Sequence, residues 1–284
     1  MQLNDTASYF AAALQEVSLV TQDDNVWTTR LSNYADGKVS LHGYDLAEVA
    51  QTLDFGASVF LSFTGNIPTP AQARMVNAML SISIIQGIAG SGAVTRVLTG
   101  TGAQLQVAVA GGLLSITDKV GGATEKLGAT LEELLGPNSD SGATIADAQV
   151  DQIAHQCLDQ IAGPDGRVDG FGHPNHPTGD PRAKMLLDLA ASVAVKGRHC
   201  AVLERMGILL SERKKRSLKP NIDGATVAIL LDMGISWRFA TAMILVGRSA
   251  GLCAQAVEQR VAPSDFRKVA VRSRYIGPQA RKLG

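Results

Sequence analysis

The sequence predicts a mainly α-helical fold with one short N-terminal β-hairpin. Three observations carry that expectation. Apolar residues recur at helical spacing along most of the chain, as at Leu46, Val49, Ala50 and Leu53. Period-two alternation is confined to residues 26–41, where Asp36-Gly37 supplies a hairpin turn. Alanine and glycine abound while aromatics make up only 5%, a composition that suits helices packed at close range. With 284 residues, 45% apolar and 18% charged, the chain is long enough for a substantial core and reads as globular rather than disordered.

Taken in order, the hairpin ends at Leu41-His42-Gly43-Tyr44 and a helix begins at Asp45. Phe55-Gly56 is expected to break that run before a second short helix over Ala57–Thr64. Thr69-Pro70 starts the next helix, with Thr as N-cap and Pro at the first helical position. A glycine-rich break at Gly87–Gly92 precedes apolar helices over Val94–Leu98 and Leu105–Asp118, and Gly121-Gly122 breaks the chain again. Helices follow over Thr124–Leu135 and Ile145–Ile161, separated by a loop at Pro137–Ala143. A long loop, Ala162–Asp180, leads into a single long helix, Arg182–Glu212, and a basic loop, Arg213–Asp223. Helices Ala225–Met233 and Phe239–Gln259 and a basic tail from Ala262 complete the reading. Residues 163–258 read as a smaller helical domain set against a larger one made of 1–162 and 259–284.

Lys plus Arg and Asp plus Glu number 26 each, so no general attraction for nucleic acid or a membrane surface is expected, and an anionic ligand needs local basic clusters. Cys157, Cys200 and Cys253 are widely spaced, which points to reduced thiols and a cytoplasmic protein. Residues 1–14 lack the basic flank of a signal peptide. The most apolar windows, Met79–Gly90 and Gln104–Ile116, are short and interrupted, so they read as buried helices rather than membrane spans.

The long loop holds His173, His176, Asp180 and Arg182. Long loops in compact helical domains are usually functional. Histidine suits proton transfer near neutral pH, and arginine suits carboxylate binding. The bland alternative is a connector in which Asp180-Pro181 caps a helix. A metal site built on His173, His176, Asp169 and Asp180 is disfavoured: prolines intervene, and neither an H-E-x-x-H helix nor a cysteine partner is present. The second candidate segment runs Arg213-Lys214-Lys215-Arg216 to Lys219-Pro220-Asn221-Ile222-Asp223-Gly224. Its cations suit phosphates. Asp223 is either a helix N-cap or a base facing a pocket. Arg248, alone among small residues, pairs with a structural carboxylate or binds an anionic substrate.

Together these segments resemble the citrate synthase family, and most closely its short citryl-CoA lyase-type members. The resemblance rests on Gly170-Phe171-Gly172-His173 with Asp180-Pro181-Arg182-Ala183, on Asn221-Ile222-Asp223-Gly224, and on the helix from Arg248 to Gln259. His42-Gly43-Tyr44-Asp45 and Thr64-Gly65-Asn66-Ile67-Pro68-Thr69 add to it, and it covers about residues 26–278. It implies a helical fold with large and small domains, a homodimer, and enzymes that make or break the carbon–carbon bond between an acyl-CoA α-carbon and a keto group. By resemblance, Asp223 moves the α-proton, His173 handles the keto or hydroxyl oxygen, and Arg182 and Arg248 hold substrate carboxylates. Lys214, Lys215, Arg216 and Lys219 would contact the phosphates of coenzyme A, and no metal is implied.

The sequence also departs from the family pattern. Val120 stands where the family has a catalytic histidine that donates to the thioester oxygen. Losing such a donor costs roughly 2.7–4 kcal/mol when nothing replaces it. Gln86 replaces a substrate-binding histidine but still carries hydrogen-bond donors. Ala270 replaces a late arginine for which Arg272 or Arg274 can substitute, and Pro177 stands at a coenzyme-side basic position. The expectation is retained carbon–carbon chemistry on a non-standard substrate with fewer carboxylates than citrate. The alternatives are a regulatory subunit that binds CoA or carboxylates without turnover, and an acyl-CoA thioesterase.

Overall fold

The computed structural model describes residues 28–88, 90–117, 125–136, 142–163 and 166–261, together with 274, 276, 277 and 279. A small antiparallel sheet is formed by β1 (Ser32–Ala35), β2 (Lys38–Leu41) and β3 (Tyr44–Asp45), in that order. Asp36 and Gly37 both take positive φ, 52° and 73°, as the two-residue hairpin turn requires. Eleven α-helices follow among the described residues: α1 (Leu46–Thr52), α2 (Phe55–Thr64), α3 (Pro70–Ser83), α4 (Ser91–Gly100), α5 (Leu105–Leu114), α6 (Glu125–Leu135), α7 (Asp147–Ile161), α8 (Pro181–Ser192), α9 (Arg198–Lys214), α10 (Ile222–Asp232) and α11 (Ala240–Arg260). The predicted mainly helical fold with an N-terminal hairpin is therefore the one observed.

Several boundaries differ from the sequence reading, each for a local reason. Phe55-Gly56 begins α2 rather than breaking a helix, because Asp54 is the N-cap and accepts the Ala57 N–H. Thr69 caps α3 in a full capping box with Gln72, as expected. Where the sequence suggests a helix from Leu105, α5 ends at Leu114 with Ser115 as its C-cap. The expected single helix Arg182–Glu212 is two helices. Ala194 adopts φ 56°, and the N–H groups of Val195 and Lys196 both turn back to the Ala190 carbonyl.

The second of these helices, α9, is started by a side chain far away in sequence. The Asp232 carboxylate accepts N–H bonds from Gly197 (2.7 Å), His199 (3.0 Å) and Cys200 (3.0 Å), and also contacts His199 Nδ1 at 2.8 Å. Both side chains are fully buried.

Helix α10 is the centre of the molecule. Every residue from Gly224 to Asp232 is buried, and from Gly224 onward the helix is apolar on all sides but for Thr226 and its last residue. Its side chains join one hydrophobic cluster with Met75 and Met79 of α3, Leu127 and Leu131 of α6, Leu158 of α7, Leu186 of α8, Leu203 and Met206 of α9 and Met243 of α11. Truncating one such leucine or isoleucine to alanine costs about 2–5 kcal/mol. Burial also pushes the Cys157 thiol up to about 12, which makes it a packing residue rather than a nucleophile.

The segment Trp237–Arg260 is the one helical stretch among the described residues that is long and apolar enough to cross a bilayer. Here it is a core helix, packed on α3, α4 and α5 through Ala240, Met243, Gly247, Gly251, Leu252 and Ala256. Gly247 and Gly251 set how closely it approaches α3. A Cβ at Gly247 would meet the Leu80 carbonyl oxygen, and one at Gly251 would overlap the Ile84 carbonyl oxygen. Gly251→Ala is therefore expected to destabilise the protein by about 1–3 kcal/mol through overpacking. Chemical denaturation checks this, and a wild-type midpoint would contradict the close contact.

Candidate functional site

The long loop and the start of α10 are tied together along their backbones. Gly172 N–H donates to the Lys219 carbonyl, and Asn221 N–H donates to the Gly170 carbonyl. Asn221 Nδ2 donates to the Gly172 carbonyl at 3.0 Å. Gly170 and Gly224 sit back to back: a Cβ on Gly224 would lie 2.5 Å from the Gly170 oxygen. The two glycine-containing motifs of the sequence are thus one structural unit, joined at a crossing that excludes larger residues.

This unit decides the role of Asp223. The N-cap of α10 is Asn221, whose Oδ1 accepts the N–H groups of Asp223 and Gly224 at 3.0 and 3.1 Å. Asp223 is therefore not a cap, and among the described residues none hydrogen-bonds its carboxylate. Burial raises its pKa above the ordinary carboxylate value, and the charges of Asp180 and Asp169 push the same way against Arg182 and Arg248. A helix N-terminus would by itself favour the charged form. A carboxyl whose pKa is raised in this way suits proton transfer near neutral pH.

Arg182 and Asp180 form the next layer. Arg182 Nε and Nη2 grip Asp180 at 3.0 and 2.8 Å, and Nη2 lies 3.2 Å from His173 Nε2. Asp180 also caps α8 through the Arg182 N–H and accepts the Ile222 N–H at 3.1 Å, beside Asp223. Burial opposes ionisation of Asp180, but Arg182 and these N–H groups outweigh it and hold its pKa below the usual carboxylate value. The bland reading of Asp180 as a helix cap is correct but incomplete. Sequence reasoning missed its second bond, to a residue 42 positions away.

His173 is held so that one ring nitrogen lacks an acceptor. Nδ1 faces the Asn175 N–H at 3.2 Å, and Nε2 faces Arg182, which can only donate. A neutral ring carries one N–H, so in either tautomer that N–H points at a donor. Burial lowers the His173 pKa; Arg182 and His176 act in the same direction, against the opposing charge of Asp180. The ring is thus neutral near pH 7, and a ligand oxygen between Nε2 and Arg182 would relieve the mismatch. The His173 and His176 rings lie 4.7 Å apart.

Arg248 is 6% exposed. Its Nε donates to the Ser83 carbonyl, and its Nη1 donates to Gln86 Oε1 and Ser91 Oγ at 2.8 and 3.2 Å. Among the described residues it forms no ion pair, so a buried cation is met only by neutral oxygens. Of the two readings left open by sequence, this geometry favours an anion site, since an uncompensated buried charge is costly. Because arginine only donates, the Gln86 oxygen must face it, which leaves the exposed Gln86 amide N–H groups for a ligand.

The expected coenzyme-binding cations divide. Lys214 and Arg216 line a cavity of about 630 Å³ walled by His173, Phe171 and Leu218, and Arg167, which sequence reasoning passed over, lines it too. Lys219 borders a separate groove between α8 and α9, and Lys215 is the left-handed C-cap of α9 and lines neither. Arg272, Val120 and Ala270 lie outside the described residues.

The chain as a whole is similar to known proteins of one family. The family model described as citrate synthase, C-terminal domain, matches residues 20–272. The citrate synthase of Helicobacter pylori is 28% identical over 219 residues, 74% of this chain and 48% of that protein. The chain spans about half the length of the curated relatives it matches. The structure of citryl-CoA lyase from Hydrogenobacter thermophilus superposes with a TM-score of 0.79 at 29% identity, covering 92% of this chain and 98% of that one. An ATP citrate lyase from Methanosaeta concilii in complex with (3S)-citryl-CoA shares the fold, with a TM-score of 0.72 at 18% identity over 94% of this chain and 44% of that one.

Proposed function

This chain belongs to the citrate synthase family, and from that membership we propose that it makes or breaks the carbon–carbon bond between the α-carbon of an acyl-CoA and a keto carbon. The observation that carries the reading is Asp223: a partly buried carboxyl that caps no helix, its pKa raised, set in the fields of Arg182 and Arg248. In the cleaving direction, His173 takes the proton of the substrate hydroxyl as the carbon–carbon bond breaks. The electron pair moves to the thioester α-carbon as an enolate, and Asp223 returns a proton to that carbon. Condensation runs the same steps backwards: Asp223 removes the α-proton, the enolate carbon attacks the keto carbon, and His173 protonates the new hydroxyl.

Arg182 and Arg248, with the free amide of Gln86, hold the carboxylates of the second fragment. Arg167, Lys214 and Arg216 hold coenzyme A phosphates in the cavity that ends at His173. Replacement of histidine by Val120 and Gln86 favours a substrate other than citrate itself, with fewer carboxylates. The same reading takes the protein as a cytoplasmic homodimer whose residues 163–258 form the smaller of two domains.

The test is incubation with citryl-CoA, short β-hydroxyacyl-CoA thioesters and pairs of acyl-CoA with 2-oxo acids, with products identified by mass spectrometry. At least one should yield carbon–carbon cleavage or condensation. Release of free CoA with the acyl chain intact would show hydrolysis instead. Tight CoA binding without turnover would show a binding subunit. Either result would overturn the proposal.

A further inference from the structure

We propose that Asp180 is the positioning residue of this site, fixing how Arg182 meets an incoming carboxylate and tying that orientation to the first turn of α10. The proposal rests on the reading of Arg182 as a carboxylate binder. Guanidinium has two edges on which a carboxylate can bind with two bonds: the Nε–Nη2 edge and the Nη1–Nη2 edge. Asp180 occupies the first, with Oδ1 at 3.0 Å from Nε and Oδ2 at 2.8 Å from Nη2. Only the second edge remains for a ligand, and it is the edge whose Nη2 already lies beside His173 Nε2. A carboxylate there would be seated next to the ring that handles the substrate oxygen.

Asp180 has no exposed side-chain surface, and it is held from three directions. Besides the Arg182 side chain, it accepts the Arg182 N–H at the start of α8 and the Ile222 N–H at the start of α10. The guanidinium, the oxygen-handling ring and the proton carrier thus share one rigid reference. The charges acting on Asp223 come from α8 (Arg182), from Asp180 and Asp169 in the loop, and from Arg248 on α11. Removing Asp180 removes one repelling charge and frees Arg182 to turn toward Asp223. Both changes favour the charged carboxylate.

The variant to make is Asp180→Asn in the full-length chain, since asparagine retains a helix-capping oxygen. Asp180→Ser, which also caps, is the second variant should the first fail to fold by circular dichroism. The first readout is the titration of Asp223, followed by carbon-13 NMR of labelled aspartate and assigned with Asp223→Asn. Its midpoint should move to lower pH in the Asp180 variants. The second is calorimetric affinity for succinate, a dicarboxylate, expected to fall at least about tenfold with loss of the fixed fork. A folded variant with the wild-type Asp223 midpoint and affinity within about twofold would overturn the proposal. If wild type turns over no thioester, the functional reading fails, while the titration still decides the role of Asp180.

Discussion

Asp223→Asn is expected to lower turnover by about 10²–10⁴-fold, the usual contribution of a positioned proton carrier, while CoA binding is retained. The same substitution should stabilise the folded protein near neutral pH. In the unfolded chain this carboxyl loses its proton in the ordinary carboxylate range, but in the fold burial holds the proton on to higher pH. Between those two points the native state binds more protons than the unfolded state, so stability falls as pH rises through that window. Asparagine cannot ionise and escapes this loss. Melting curves should place the variant above wild type at pH 7, with the gap narrowing as pH drops below the unfolded carboxylate range. Unchanged turnover, or a variant less stable than wild type at pH 7, would contradict the role assigned to Asp223.

The second large effect is at the other end of α10. Asp232→Ala should destabilise the protein by about 3–5 kcal/mol, the usual cost of removing one member of a buried charged or polar pair. Three N–H groups at the start of α9 and the His199 ring would lose their common acceptor in a fully buried place. Among the described residues the buried His199 Nε2 has no partner, so the ring has no second acceptor there to fall back on. For a chain of this size the melting temperature should drop on the order of 10 °C. Asp232→Asn should not rescue it, because a carboxamide presents one acceptor and one donor to a ring of donors. A shift under about 2 °C for Asp232→Ala would rule out this account of how α9 is held.

The two acids of α10 show what the sequence made legible. Features decided within a few residues could be read: Asp36-Gly37 turned the hairpin, and Thr69-Pro70 opened α3. The candidate chemistry of His173, Arg182, Asp223 and Arg248 was legible from motif order, and the fold places Arg182, Asp223 and Arg248 within reach of one another's charge, with His173 against Arg182. What failed was set by long-range partners. The break between α8 and α9 contains no proline, and its cap arrives from Asp232, 35 residues beyond Gly197. On its residues alone Asp223 read more commonly as a cap than as a base, and it is Asn221 that does the capping. Gly247 and Gly251 read as generic small residues, yet they set the approach that lets Arg248 reach Ser83. The basic run from Arg213 looked like one cluster, but the turn at Lys215 sends its cations to different faces.

The central claim is that Asp223 moves a proton at the α-carbon of a CoA thioester. It is tested most directly by following α-proton exchange of acetyl-CoA in deuterated water by proton NMR, with a 2-oxo acid analogue present. The account predicts that wild type catalyses the exchange and that Asp223→Asn, folded and still binding CoA, does not. Equal exchange by both proteins, or none by wild type, would contradict it.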